Sequence, residues 1–187
     1  VSVMVKRMQG ILFDWHAYGR NTIGARSDIE NVPIENLQAF YHKWYQPDNA
    51  VLTVSGKFDE TKVLTWITET FGKIPRPTRV LPAEWTVEPV ADGPRYFEIR
   101  RPGESQLVAV GYRIPSAIAA DNNAVETAVD VLSSAPRGRL YKALVETGMA
   151  GQVFGWAMSA KCPSFVMFGA MVKKGDDIER VKNVLLD

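Results

Sequence analysis

The chain has 187 residues, of which 46% are hydrophobic and 23% charged, and its formal net charge is +1. Such a length and composition are typical of a soluble protein with one large or two small domains, able to bury about 70% of its unfolded surface. The near-zero net charge gives no support for a nucleic-acid or acidic-membrane partner. No apolar run approaches the ~20 residues of a membrane-spanning helix.

The N-terminal residues predict a helix that is already under way where the sequence begins. Val1, Val5, Met8 and Leu12 fall at helical spacing with no capping residue before them. The last residues of the chain are likewise an amphipathic run. Both ends are therefore expected to lie inside larger domains.

A second helix is expected to begin at Pro33, whose missing N–H suits the first helical turn, and to stop before Pro47. Residues 50–55 are a β-branched run that predicts a buried strand. Asp59 is expected to cap the next helix. The helix that begins at Pro33 has an apolar face predicted to pack on this strand as core, formed by Ile34, Leu37, Phe40, Tyr41, Trp44 and Tyr45.

The segment 75–94 contains five of the eleven prolines and predicts an extended linker. Beyond it, alternation at Phe97 and Ile99 predicts a half-buried strand, and the nearly all-apolar residues 107–112 predict a central strand. Helices are expected after Asp121, over residues 139–146 and after Asp176 or Asp177, and a hairpin is expected to join residues 153–160 and 165–172 at Lys161-Cys162-Pro163. The single cysteine, Cys162, excludes an internal disulfide, and its thiol is expected to be buried.

Four segments together form a recognisable pattern: Asp28–Asn31, the helix end Trp44-Tyr45, Pro47–Leu52 and Gly56–Asp59. This pattern resembles that of the pitrilysin/insulinase-type zinc metallopeptidases. Two earlier segments, His16–Arg20 and Ile23-Gly24, resemble that family's His-Pro-Tyr-Gly loop and the Ile-Gly after it, with Ala17 in place of the usual proline. The resemblance extends over nearly all of the chain.

The resemblance implies an α+β fold of two partial α/β-sandwich half-domains joined by a Pro-rich linker. Residues 1–74 would be the C-terminal part of the first peptidase-like domain, 75–94 the linker, and 95–187 the N-terminal part of the second. The chain would then be the central piece of a longer protein. The compartment stays open, with bacterial periplasm and cytoplasm both compatible.

The zinc site that the resemblance implies is a helical His-x-x-Glu-His motif plus a distant glutamate. Histidines four apart share a helix face and can both reach Zn²⁺, while the glutamate takes a proton from the metal-bound water. The chain has only His16 and His42, 26 positions apart. We expect His16 to be structural and His42 to lie on the surface. No catalytic and no metal-binding residue is assigned, and Zn²⁺ is expected only in the full-length parent.

The second domain of this family often carries an arginine and, seven residues on, a tyrosine, which hold the peptide and assist at the scissile carbonyl. Matching Gly138–Tyr141 and Gly148–Ala150 to the family pattern puts these places on Leu144 and Gly151, neither of which can donate a side-chain hydrogen bond. Arg139 is the nearest remaining cation and the candidate substrate-binding residue. The alternative for Arg139 is an exposed charge near a helix start.

The sequence therefore predicts a fragment of a zinc-dependent endopeptidase, a parent that acts on peptide or protein substrates, with this fragment inactive alone. A non-catalytic scaffold or complex subunit of the same family is the alternative that the missing Arg/Tyr pair favours. A small α+β binding domain unrelated to peptidases would instead fold as one closed sheet. Because open sheet edges are expected at residues 107–112 and 165–172, the isolated chain is also predicted to self-associate as a homo-oligomer, most simply a two-fold dimer.

Overall fold

The computed structural model describes all residues from Val1 to Asp187 and has both helices and strands. Short 3₁₀ turns lie at residues 17–19, 47–49 and 71–73, and a π-helical turn spans Tyr141–Val145. None of the helices is long and apolar enough to cross a bilayer. In chain order the main elements are α1 (Ser2–Leu12), α2 (Arg26–Asn31), α3 (Ile34–Trp44), α4 (Glu60–Thr70), β1 (Ser105–Ile114), α5 (Asn122–Ser133), β2 (Gln152–Ala157), β3 (Ser164–Lys173) and α6 (Ile178–Leu186).

The chain packs as two compact units. The sheet unit comprises residues 1–22 and 86–187, and the helical unit comprises residues 23–85. The boundary between the two units, after Trp85, falls inside the proline-rich segment, which contains neither helix nor strand. The domain bounds that the resemblance implies, 1–74, 75–94 and 95–187, differ from the bounds of these two packing units. They stay a prediction about the parent protein.

The sheet unit is built on three antiparallel strands in the order β1-β3-β2. Ser105 pairs with Lys173 at one end of the β1–β3 ladder and Ile114 with Ser164 at the other. Since β2 and β3 are adjacent and antiparallel, the predicted hairpin is confirmed. Cys162, in its connection, is half-exposed, so the expectation of a buried thiol was wrong.

Both faces of this sheet are covered, and β3 separates two apolar clusters. Its even-numbered residues from Val166 to Val172 join α5, α6 and the π-helical turn in the larger cluster. Phe165 and Met167 point the other way and pack with Met8 and Phe13 at the end of α1. The alternation follows from the two-residue period of a strand. Because it is covered on both faces, β3 is apolar at nearly every position.

The apolar segment 107–112 lies in β1, at an edge of the sheet, so its prediction as a central strand was wrong. Val108 and Val110 pack on the larger cluster, while Ala109 packs on the α1 side. A continuous apolar run indicates that both faces of a strand are covered, but it does not indicate whether the strand is central or at an edge. The central position belongs to β3, so residues 165–172 offer no open edge, and the open edges are those of β1 and β2.

Two predicted strands are absent because nothing in the chain pairs with them. Residues 50–55 have no strand, and Val51 is 93% exposed. Residues 97–99 also lack a ladder, although they line a shallow groove of about 500 Å³ beside α1. A strand forms through hydrogen bonds to a neighbour, so a β-favouring sequence without a partner stays extended but unpaired.

The helical unit contains helices at their predicted places but no buried residue. α3 begins after Pro33, and Asp59 caps α4 by accepting a hydrogen bond from the Lys62 N–H. The apolar face of α3 was predicted to be core, but it is exposed apart from the half-buried Trp44. Its exposed residues are Ile34, Leu37, Phe40, Tyr41 and Tyr45. Without a sheet to cover it, an amphipathic helix has nothing against which to bury this face.

The helical unit is therefore expected to open more readily than the sheet unit. The amides of α3 should exchange with solvent on the order of a thousandfold faster than those of α5, because helix protection depends on tertiary packing. α5 is a matched control, with similar length and with Val129 buried against the sheet. Hydrogen exchange followed by mass spectrometry measures both helices in one sample. Equal protection of α3 and α5 would contradict this expectation.

Candidate functional site

Arg139, the candidate substrate-binding residue, lies on the surface at the start of the π-helical turn. Its side chain is exposed and makes no ion pair within the chain. The neighbouring Gly138 and Leu140 are buried and fix the backbone on either side. An unpaired, exposed guanidinium is free to meet an acceptor on a peptide.

The two places that the resemblance gives to the family's arginine and tyrosine have different surroundings. Leu144 is 0% exposed and sits at the centre of the larger apolar cluster, inside the π-helical turn. Gly151 is exposed just before β2, and its N–H donates to the Met171 carbonyl at 2.8 Å. A charged residue at position 144 would pay the full cost of burial. These positions therefore do not form a peptide-binding pair in this chain.

The densest polar cluster lies elsewhere, around Glu88 in the proline-rich segment. The Glu88 side chain is only 9% exposed. Its Oε1 accepts a hydrogen bond from the Asp14 N–H at 2.7 Å, and its Oε2 accepts from the N–H groups of Trp15 and His16 at 3.0 and 2.8 Å. The carboxylate thus holds the three residues that follow Phe13 at the end of α1.

Arg113 completes this cluster from β1. Its Nη2 lies 2.9 Å from Glu88 Oε1, its Nε donates to the Leu12 carbonyl at 2.6 Å, and its Nη1 donates to the Pro89 carbonyl. The guanidinium also lies over the Phe13 ring, 5.6 Å from its centroid. One arginine therefore joins the strand, the end of α1 and the proline-rich segment.

The hydrogen bonds decide the ionisation of Glu88. Burial alone would raise the pKa of this carboxyl, but the backbone N–H groups of Asp14, His16 and Trp15 and the charge of Arg113 together lower the pKa below its ordinary value. A second pair flanks it, in which Asp14 accepts from both Nη atoms of Arg95 at 2.6 and 2.7 Å. Those hydrogen bonds lower the pKa of Asp14.

His16 is held as part of the same loop. Its Nδ1 accepts a hydrogen bond from the Tyr18 N–H at 3.2 Å, and the two rings meet edge to face with centroids 4.2 Å apart. Tyr18 Oη in turn accepts from the Cys162 N–H at 3.3 Å. These contacts hold the His16 ring in the loop. His42 is exposed on α3.

The Glu88 cluster positions the backbone. The hydrogen bonds that the carboxylate already accepts leave it little capacity to take up a proton. A carboxylate that accepts four hydrogen bonds and has a lowered pKa is a poor proton acceptor. No group of three or more His, Cys, Asp or Glu side chains could hold a metal ion. Sequence reasoning missed Glu88 because it lies in a segment expected to be a linker. The available signal was Arg113, the only charge in the apolar strand β1, which needs a partner when partly buried.

The helical unit anchors the other end of the proline-rich segment in a similar way. Arg79 makes two hydrogen bonds to Asp48, at 2.7 and 2.8 Å, and its Nε donates to the Lys43 carbonyl. The segment contains neither helix nor strand. Residue 79 binds folded elements of the helical unit, and residue 88 binds folded elements of the sheet unit.

Comparison with known proteins gives one family model, described as the peptidase M16 inactive domain, which matches residues 31–187. Among curated proteins, the zinc protease PqqE of Helicobacter pylori is 25% identical over 171 residues, covering 90% of this chain and 38% of that protein. The chain thus spans less than half the length of this relative.

Solved structures share the fold. A protease from Helicobacter pylori superposes with a TM-score of 0.85 at 22% identity, over 100% of this chain and 46% of that one. A peptidase M16 inactive domain from Pseudomonas fluorescens has a TM-score of 0.81 at 16% identity, over 98% of this chain and 45% of that one. The helices and small antiparallel sheet described above are therefore an α+β arrangement that solved structures also have.

Replacing Glu88 should destabilise the sheet unit. Glu88→Ala removes the carboxylate that balances the charge of Arg113 and leaves three backbone N–H groups without an acceptor. We expect a loss of about 3 kcal/mol in the free energy of unfolding. Glu98→Ala is the matched control, because Glu98 pairs with Arg100 at the surface and its side chain is 70% exposed. Denaturant melts of both variants against the wild type measure the difference, and equal losses would contradict a special role for Glu88.

The same pair predicts the pH dependence. Because the pKa of Glu88 is lowered in the folded state, its stabilisation is present above the unfolded pKa of about 4.3 and is lost as pH falls through the folded value. The difference in the free energy of unfolding between the wild type and Glu88→Ala should therefore become smaller between pH 7 and pH 3, as denaturant melts at each pH would measure.

Proposed function

Because the chain belongs to the peptidase M16 inactive-domain family, we propose that it forms a non-catalytic part of a zinc-dependent endopeptidase. The parent would hydrolyse peptide bonds in peptide or protein substrates at a zinc centre formed by residues outside 1–187. The observation that carries this proposal is the family match over residues 31–187 in a chain without a His-x-x-Glu-His motif. Support also comes from the name of the PqqE relative, a zinc protease.

The residues present do not fit a zinc ion. A catalytic zinc needs three protein ligands, and the two histidines are far apart in the sequence and already placed otherwise, His16 against Tyr18 and His42 on the surface of α3. No catalytic step is therefore assigned to this chain. Within the parent, its contribution would be a folded sheet unit that presents Arg139 at the surface as the candidate contact to a peptide.

A non-catalytic scaffold or complex subunit of the same family is the second candidate. It is favoured by Leu144 and Gly151, which stand where the resemblance expects an arginine and a tyrosine. The first is enclosed in the core and the second has no side chain. A parent that uses such a half for structure alone would have no need of a peptide-holding pair.

Metal analysis separates the two candidates. We expect chelator-washed chain to hold no stoichiometric Zn²⁺, because it lacks paired ligands, and the full-length parent to hold one ion and cleave a fluorogenic peptide. One tightly held ion in the isolated chain would overturn the assignment of the zinc centre to other residues. A full-length parent with neither zinc nor peptidase activity would favour the scaffold.

The isolated chain is proposed to self-associate. The sheet has open edges at β1 and β2, and the exposed apolar face of α3 is a second surface that water solvates poorly. Light scattering across a concentration range should give a mass above that of one 20.8 kDa chain at high concentration. A monomeric mass at every concentration would count against association.

A further inference from the structure

α1 carries a second row of side chains beside the one that packs on the sheet. Met8 and Leu12 face the sheet and pack in the cluster on that side. Val3, Arg7 and Ile11 are four residues apart, so they form a row along a neighbouring side of the helix. This row is one wall of the shallow groove of about 500 Å³ beside α1, hereafter the α1 groove.

Residues 97–101 form the other wall of the α1 groove. Arg95 ties the start of this wall to the C-terminal end of α1, because its Nη1 donates to the Ile11 carbonyl at 2.8 Å. The chain then runs back along α1, since β1 begins at Ser105 and returns to the last residue of α1 only at Arg113. The two walls are therefore antiparallel, and both present alternating apolar and charged side chains.

The apolar side chains of the α1 groove are not used by the core. Phe97 and Ile99 are each 37% exposed. Together with Val3 and Ile11 from the helix, they lie outside both apolar clusters of the sheet unit. The groove volume is within the range of small-molecule sites, roughly 300–1,000 Å³. The groove therefore offers apolar contact area that a small ligand can cover.

The charge of the α1 groove is positive. Arg7 and Arg101 are exposed and make no ion pair within the chain. Arg100 pairs at 2.7 Å with Glu98, which supplies the only carboxylate among the lining residues. Three guanidinium groups and one carboxylate leave two positive charges uncompensated, so the groove is complementary to an anion.

A carboxylate next to an apolar group fits this combination. The planar guanidinium of arginine matches the two oxygens of a carboxylate, and the pairing is strengthened by charge. At the C-terminal end of a peptide, the α-carboxylate and the last side chain are attached to the same carbon atom. Such an end can place its carboxylate on a guanidinium while its side chain lies on the adjacent apolar wall.

We propose that the α1 groove binds the C-terminal end of an apolar peptide. The α-carboxylate pairs with Arg7 and Arg101, and the last side chains lie against Phe97 and Ile99. The proposal rests on the proposed function for the source of the peptide, because hydrolysis of a peptide bond by the parent adds water across the C–N bond and releases a new C-terminal carboxylate. The binding itself needs no zinc, so its failure would leave the assignment of the zinc centre unchanged.

Glu98 favours a peptide over a fatty acid, which also has a carboxylate on an apolar body. The Glu98 carboxylate accepts two hydrogen bonds from Arg100, at 2.7 and 3.3 Å, and a carboxylate can accept about four. A peptide N–H can donate to the acceptor positions that remain, whereas an ionised fatty acid has no donor.

The first experiment tests the carboxylate on the wild-type chain and needs no mutation. The probes are N-acetyl-Gly-Leu-Phe with a free C-terminal carboxylate and the same tripeptide with a C-terminal amide. Titrations followed by ¹⁵N NMR, including the Nε–H signals of Arg7 and Arg101, give both affinities. We expect the carboxylate form to bind at least about tenfold more tightly, because hydrogen bonds between charged groups are lost in the amide. Equal affinities, or no binding of either form, overturn the proposal.

The second experiment removes the two free guanidinium groups. The double variant Arg7→Gln, Arg101→Gln should bind the carboxylate form about tenfold more weakly than the wild type. Lys6→Gln is the matched control, since it removes a positive charge from the next position of α1 at a residue that does not line the groove. Its affinity should stay within about twofold of the wild type, because exposed charges away from the site are screened. Equal affinities of the double variant and the control overturn the proposal.

Two further ligands test the occupant on the wild-type chain. N-acetyl-Gly-Gly-Gly keeps the carboxylate but has no apolar side chain, and it should bind at least about tenfold more weakly than N-acetyl-Gly-Leu-Phe because it covers less of the apolar walls. Equal affinities of these two tripeptides overturn the role of the apolar walls. Dodecanoate keeps the carboxylate on an apolar chain without N–H groups, and tighter binding of dodecanoate than of the apolar tripeptide overturns the choice of a peptide.

Discussion

The sheet unit depends on β3, the strand whose hydrogen-bonding groups are used on both sides and whose side chains are covered on both faces. Its even-numbered residues bond to β1 and pack under α5 and α6, while its odd-numbered residues bond to β2, with Phe165 and Met167 packed against the end of α1. Backbone pairing and apolar burial therefore reinforce each other along β3 from Phe165 to Val172. The other elements are placed by their contact with this strand.

The carboxylate of Glu88 fixes the path of the backbone after α1. Residues 14–16 follow α1 without regular structure, and their N–H groups would be unsatisfied without an acceptor. Glu88 supplies that acceptor from more than 70 positions away, and Arg113 balances its charge from β1. A proline-rich segment suits this role, because proline restricts the backbone conformations of the unfolded chain and so lowers the entropy lost when the segment is ordered.

The two units differ in what they bury, and this difference bears on function. The sheet unit has two apolar clusters, whereas the helical unit has amphipathic helices and no buried residue. The chain spans less than half the length of the Helicobacter pylori relative and of the solved protease it matches. The family match and the absence of a His-x-x-Glu-His motif are both properties of this chain.

The sequence by itself determined the local structure and the family. Pro33, Asp59 and the pair Asp176-Asp177 mark helix starts through backbone geometry and side-chain capping, which act within one turn. The helices begin at these places, and the structure selects Asp177 as the cap of the last one. The resemblance to the pitrilysin/insulinase-type family, based on short motifs, is confirmed by the family match.

Only the tertiary structure decided which strands form, which strand is central and how Glu88 is used. Residues 50–55 and 97–99 have strand-like sequence patterns yet are unpaired, since a strand needs a partner that local sequence does not specify. The 107–112 run lies at an edge, and Glu88 finds its partners at long range, because pairing and burial are set by residues distant in the chain.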